Sequence, residues 1–340
     1  MNTKNYKIIA TVFLLVTLLG FSKLNTTPIY LDIPKNWPIP KYNFKSNPLT
    51  EQGFQLGRTL FYDPILSRDN TISCSSCHLQ QTGFAHVDHE LSHGIDGQIG
   101  NRNALTLQNL AWSKNFMWDG GVNHLEMQAI GPITSPSEMD ETVKNVIFKL
   151  QKSSKYQDLF QKAFGTTKIT GQLMLKSLSQ FVVALVSCNS KYDKMIRNEV
   201  QFTQIEQNGY NLFKKNCASC HQEPLFTSDQ FENNGLEVDA TLNDFGRMKI
   251  TQKATDSLKF KVPTLRNIQF TFPYMHDGRF KTLNEVTKHY SSKIVQSKTL
   301  ANQLKGDMQL SDANRIELIA FLKTLTDTEF LFNPRYSFPR

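Results

Sequence analysis

Apolar residues recur at helical spacing in three parts of the chain. Within 141–150 they are Val143, Val146, Ile147 and Leu150; within 172–188 they are Leu178, Phe181, Val182 and Leu185. Near the end, Ser311 is placed as the N-cap of a helix carrying Ile316, Ile319, Ala320 and Leu325. The strand-type alternation of apolar and polar residues is scarce. Intervening stretches, including 94–103 and 131–137, are rich in Asn, Gly and Pro and read as loops. The pattern predicts a mainly α protein whose long loops surround short helices.

At the N-terminus, Lys4 and Lys7 precede an apolar run from Ile8 to Phe21, with small residues at Gly20 and Ser22. This reads as an export signal over residues 1–22, the run being too short for a comfortable membrane span. An uncleaved anchor is the alternative, and either places the folded part in the periplasm. No other stretch is apolar enough to span a membrane. The formal charge is +8, of which two lysines leave with the signal. No dense Lys/Arg block with interleaved aromatics exists, so a nucleic-acid role is not expected.

Four of the five cysteines lie in CSSCH (74–78) and CASCH (217–221). An exported chain can oxidise cysteines to disulfides, but Cys-x-x-Cys-His is the attachment signature of a c-type heme. Two thiols, Cys74 with Cys77 and Cys217 with Cys220, add to the vinyl groups; the next residue, His78 or His221, binds iron from below. A zinc site would gather four ligands, and a thiol redox motif has no need of the histidine. Cys188, at the end of QFVVALVSC, reads as a buried structural thiol.

Each motif follows a similar lead-in, LGRTLFYDPILS and NGYNLFKKN, with Gly and Leu-Phe on a helix. Two cytochrome c-like domains follow, over 45–195 and 196–340, each with one covalent heme. The 79–190 segment is longer than a minimal cytochrome needs, and catalysis is expected there. Opposite His78, the candidate ligands are His86, His89 and His93. Opposite His221 they are Met275, His276, His289, Tyr290 and Met308, and spacing alone does not choose among them.

LGRTLFYDPILS, GNRNALTLQN, FMWDGG, QAIGPITSPSEM, VPTLRN and PYMHDGRF, together with both heme motifs, resemble the bacterial diheme cytochrome c peroxidases and their MauG-type relatives. The resemblance runs from about Leu56 to Leu325. It implies a peroxide-reactive heme in the N-terminal domain, an electron-transfer heme in the C-terminal domain and a calcium ion between them. By motif, Trp118 matches the tryptophan between the hemes. Gln128 and Glu138 match the polar residues of the peroxide pocket, and Pro132 shapes it. Asn103 and the carbonyls of Thr271 and Pro273 match the calcium ligands. Read without the resemblance, Glu138 is an acid at the start of the DETVKNVIF helix, Trp118 a core aromatic and Asn103 a turn residue.

His93 aligns with the histidine that caps the resting peroxidatic heme, although the following IDGQIGN loop is longer here. Tyr290 falls where peroxidases of the family place a methionine and MauG-type enzymes a tyrosine, with Met275 or Met308 as the other ligand choices. The implied function is reduction of hydrogen peroxide with electrons from a small cytochrome c or copper protein. The alternatives are a MauG-type oxidase that uses high-valent hemes to modify a partner protein, and a diheme electron carrier without catalysis. Family members are often homodimers.

Overall fold

The computed structural model describes residues 25–306 and 308–339. The expected export signal lies outside them. Seven helices among the described residues reach nine or more residues: α1 (Glu51–Tyr62), α2 (Val143–Gln151), α3 (Ser154–Phe164), α4 (Gly171–Val183), α5 (Gln204–Asn216), α6 (Leu283–Ser292) and α7 (Asp312–Lys323). One short antiparallel ribbon pairs β1 (Phe231–Glu232) with β2 (Phe260–Lys261). The fold is mainly α, as the hydrophobic pattern predicts. Side chains cap the helix starts: Thr50, Thr142 and Ser311 accept from the N–H groups of Gly53, Asn145 and Asn314.

Two helix pairs organise the chain, α1 with α4 and α5 with α7. Each closes on a glycine. A Cβ at Gly57 would lie 2.0 Å from the carbonyl oxygen of Ser177, and one at Gly209 would lie 1.9 Å from that of Glu317. One turn further on, Phe61 and Phe213 meet Phe181 and Phe321, with ring centroids 5.0 Å apart in both pairs. The Gly and Leu-Phe lead-ins are thus the contact faces of two equivalent helix pairs.

Each pair anchors its own apolar core, yet the chain ends cross over. Phe330 and Leu331, late in the chain, are buried in the first core, as is Trp37 of the N-terminal segment. The Trp37 ring also faces the buried Arg266 guanidinium at 4.7 Å. Arg266 forms a two-pronged pair with Asp193, both contacts 2.8 Å.

Two expectations fail locally. Residues 131–137 are not all loop, because Ile130–Thr134 forms a short helix. Pro132 sits in its first turn, where no N–H needs an intrahelical partner. The helix carrying QFVVALVSC stops at Val183, well before Cys188. The backbone beyond it is spent on Asn109: Leu185 O accepts from Asn109 N at 2.8 Å, and Ser187 N donates to Asn109 Oδ1 at 2.9 Å. Cys188 is therefore off the helix and only half-buried.

Candidate functional site

Both Cys-x-x-Cys-His stretches form one tight turn, with the histidine N–H bonded to the first cysteine's carbonyl at 3.0 Å (His78) and 2.9 Å (His221). All five cysteines are unpaired. His78 Nδ1 lies 2.7 Å from Phe84 O; His221 Nδ1 lies 3.2 Å from Phe226 O and 3.1 Å from Pro263 O. A carbonyl accepts only from a protonated Nδ1, so Nε2 keeps its lone pair for a metal. Burial also holds both imidazoles neutral, with pKa values lowered to about 4. Each histidine opens onto a cavity, with about 1450 Å³ of empty space in the first and about 1270 Å³ in the second, both continuous with solvent. Open space, paired thiols and an oriented imidazole are what a covalent heme requires.

The first cavity gathers residues from across the long N-terminal segment. His78, Cys74 and Cys77 line one wall, and Gln128, Pro132, Glu138 and His93 also face it. Glu138 lies outside any helix, since α2 begins at Val143 with Thr142 as its cap. Its backbone is pinned instead: Ile95 N donates to Glu138 O at 2.8 Å, and Glu138 N donates to Ser135 O at 3.0 Å. Burial raises the Glu138 carboxyl above the ordinary glutamate range. Of the three candidate histidines after His78, His93 reaches the cavity. Its ring stacks on His89 at 4.0 Å, and its carbonyl accepts from Cys77 Sγ at 3.4 Å. His86 is buried and His89 exposed, and neither lines the cavity.

The second cavity is lined by His221, Cys217 and Cys220 together with Met275, His276, Tyr290 and Met308. His289 turns away and meets Asn234 O at 3.0 Å. The Met275 sulfur accepts from Asn234 Nδ2 at 3.3 Å. Tyr290 projects from α6, and burial pushes its phenol up to about 12.

Trp118 lines both cavities. It is buried, its Nε1 donates to Asn103 O at 2.9 Å, and its carbonyl accepts from Lys261 N at 2.7 Å. Asn103 N in turn donates to His276 O at 2.8 Å, which sets Asn103 against the loop carrying Thr271 and Pro273. Asn103 Nδ2 is spent on Glu90 O at 3.0 Å. No group of three His, Cys, Asp or Glu side chains among the described residues forms a metal cluster.

The structure reveals a duplication wider than the heme motifs. Met117 and Met275 both have left-handed backbones (φ 66° and 77°), each in a turn closed by an antiparallel bridge, Phe116 to Val122 and Tyr274 to Phe280. In FMWDGG and YMHDGR this makes His276 the counterpart of Trp118. Asn109 and Asn267, in TLQN and TLRN, are left-handed as well (φ 58° and 57°), and each accepts a backbone N–H past its domain's last long helix, from Ser187 and Asp327. The signal was present in the sequence as paired four-residue strings.

Two heme-ready cavities joined by one tryptophan define a diheme c-type redox protein. Residues 51–201 match the family model for di-haem cytochrome c peroxidase, and 206–326 match that for cytochrome c. The chain is 34% identical to the methylamine utilization protein MauG of Methylorubrum extorquens, over 86% of this chain and 82% of that one. It is 35% identical to the cytochrome c551 peroxidase of Nitrosomonas europaea, over 80% and 79%. A MauG-like protein associated with microbial copper homeostasis superposes with a TM-score of 0.82 at 31% identity, covering 92% of this chain and 99% of that one. The chain therefore belongs to the bacterial diheme cytochrome c peroxidase/MauG superfamily. It is a heme c-dependent oxidoreductase acting on peroxide or through high-valent heme chemistry. No helix among the described residues is long and apolar enough to cross a membrane.

Proposed function

We propose that the chain is a periplasmic diheme oxidase of MauG type, which takes hydrogen peroxide as oxidant and spends its oxidising power on a partner protein. The observation that carries this reading is Tyr290 of α6, on the wall of the second cavity that His221 also lines. An anionic oxygen ligand favours oxidised iron, whereas a methionine favours reduced iron. The similarity to MauG proteins and to the MauG-like structure supports the same side.

When bound, the hemes supply the electrons that cleave the peroxide O–O bond and hold the oxidising equivalents for later use. His78 and His221 would hold the two heme irons through Nε2, and Tyr290 would hold the iron of the second heme as well. Glu138 takes the proton from the near peroxide oxygen and returns it to the far one, which leaves as water. Gln128 orients the peroxide and Pro132 shapes the pocket. His93 stays a wall residue, held by its stack on His89. Trp118 couples the two sites.

A calcium ion is proposed on Asn103 Oδ1 and the carbonyls of Thr271 and Pro273. With Asn103 Nδ2 given to Glu90, the side-chain oxygen remains available. A set of amide and carbonyl oxygens completed by water is a donor set that calcium accepts. Its role would be to brace the Asn103 backbone, and through it Trp118.

Peroxidase turnover is the second reading, favoured by Met308 on the same cavity wall and by the similarity to cytochrome c551 peroxidase. The deciding experiment supplies reduced small cytochrome c and peroxide to the pre-reduced diheme protein, with calcium present. Slow turnover with a long-lived oxidised spectrum is the expected result. Rapid turnover would establish the peroxidase reading instead.

A further inference from the structure

Behind the second proximal histidine, two tyrosines share one carboxylate oxygen. Tyr192 donates to Glu223 Oε1 at 2.6 Å, and Tyr210 donates to the same atom at 2.8 Å. The Tyr192 ring stands edge-on to Phe226 with centroids 4.8 Å apart. Phe226 is the residue whose carbonyl faces His221 Nδ1. Tyr210 stacks on Phe321 at 5.0 Å and is only partly buried, with the Lys214 ammonium 4.4 Å from its ring. The pair thus runs from the backing of the heme ligand to the surface.

The duplicated fold supplies an internal comparison. Phe61, Phe84 and Phe181 stand behind His78 where Phe213, Phe226 and Phe321 stand behind His221. Arg58 takes the place of Tyr210 after the packed glycine. The first domain's nearby phenols, Tyr62 and Tyr336, donate to the backbone carbonyls of Tyr336 and Ala184. A carbonyl is a far weaker proton acceptor than a carboxylate. Tyr156 meets Asp63, but that carboxyl is also bound by Lys155 and the Ile65 N–H and is held below the usual range. Tyr42 with Glu126, at 2.7 Å, remains as a single phenol–carboxylate pair away from this ring cluster.

A phenol that loses an electron becomes a strong acid, so its proton must leave with the electron to a base already in hydrogen-bond reach. We propose that Tyr192, Glu223 and Tyr210 form a redox-active site, through which a one-electron donor outside the chain meets the oxidising power drawn from peroxide. This rests on the reading of peroxide as oxidant. Peroxide takes two electrons and two protons to become two waters. Both protons come from solvent, and both electrons leave through Tyr210 in two successive rounds; in each round its O–H bond breaks, one electron leaves and the proton passes to Glu223. After each round the external donor, a phenol or indole side chain of a partner that releases its own proton to solvent or a small redox protein, returns one electron to Tyr210, and Glu223 returns the proton.

The test is electron paramagnetic resonance on the holoprotein, freeze-quenched after peroxide, with and without ring-deuterated tyrosine. A tyrosyl signal that narrows on deuteration is expected. It should vanish in the Tyr192→Phe/Tyr210→Phe protein, weaken in Glu223→Gln and persist in Tyr42→Phe. Should the double variant lose its hemes, the half-buried Tyr210→Phe alone is read in its place. If peroxide changes the heme spectrum but the signal is absent, undiminished by the Phe variants or lost with Tyr42, the proposal is overturned while the peroxide reading stands. If the heme spectrum does not respond to peroxide, both fall.

Discussion

Glu138 and Tyr290 carry most of the proposed chemistry, and each makes a claim that one substitution can test. A base that accepts the peroxide proton must be ionised, and burial raises the Glu138 carboxyl. The peroxide reaction of the reduced protein should therefore slow as pH falls through a value above that of an ordinary glutamate. Glu138→Gln should remove that limb and lower the rate by about 10²–10⁴-fold, the usual contribution of a positioned acid–base group. Stopped-flow mixing over a pH series reads both effects, and an unchanged rate would take Glu138 out of the reaction. At the second cavity, exchanging an oxygen ligand for a thioether favours reduced iron. Tyr290→Met should then raise the midpoint potential of the second heme and leave the first alone. Spectroelectrochemistry resolves the two; a second-heme potential that stays put would pass the ligand role to Met308.

At the scale of elements, the glycine contacts of the two helix pairs make matched predictions. An added Cβ at Gly57 or Gly209 would sit about 2 Å from a backbone oxygen of the facing helix, closer than any relaxation of a side chain can relieve. The helices must separate, and overpacking of this kind costs about 1–3 kcal/mol. Gly57→Ala and Gly209→Ala should each lower the thermal midpoint of the holoprotein, followed in the heme absorption of the affected domain. A melt unmoved by both would mean that the pairs are not in such close contact. These contacts also show what was legible beforehand. The lead-ins, the Ser311 cap and the heme motifs are local strings whose chemistry needs no partner to be read. The paired TLQN/TLRN and FMWDGG/YMHDGR turns are equally plain as strings, but their equivalence rests on the left-handed Asn and Met backbones that only the fold reveals. Both turn pairs share one offset of 158 residues, but the heme motifs lie 143 apart because the segments between heme motif and turns differ in length, so no single period runs through the chain. The end of α4 was hidden for another reason: the apolar run continues, and the helix stops because Asn109 claims the backbone after it.

Across the whole molecule, the two cores are separate but the chain is laced between them. Phe330 and Leu331 lie in a short helix after α7, Thr328–Leu331, and are buried in the first core. Fully burying side chains of this size stabilises by about 1.5–3 kcal/mol each. The strap is fastened by polar contacts as well: Gln80, two residues after His78, donates from Nε2 to Asn333 O at 2.8 Å, and Arg335 meets Glu51 at the start of α1 at 2.6 Å. Ending the chain after Asp327 therefore removes apolar contacts and hydrogen bonds from the first domain while leaving α5 and α7 of the second intact. The truncated protein should melt in two steps, with the first heme's environment lost at lower temperature and the second near its original midpoint. Absorption at bands assigned to each heme, recorded during unfolding, checks this. A single melt with both hemes lost together would show that the domains unfold as one body, with the strap serving the interface rather than the first core.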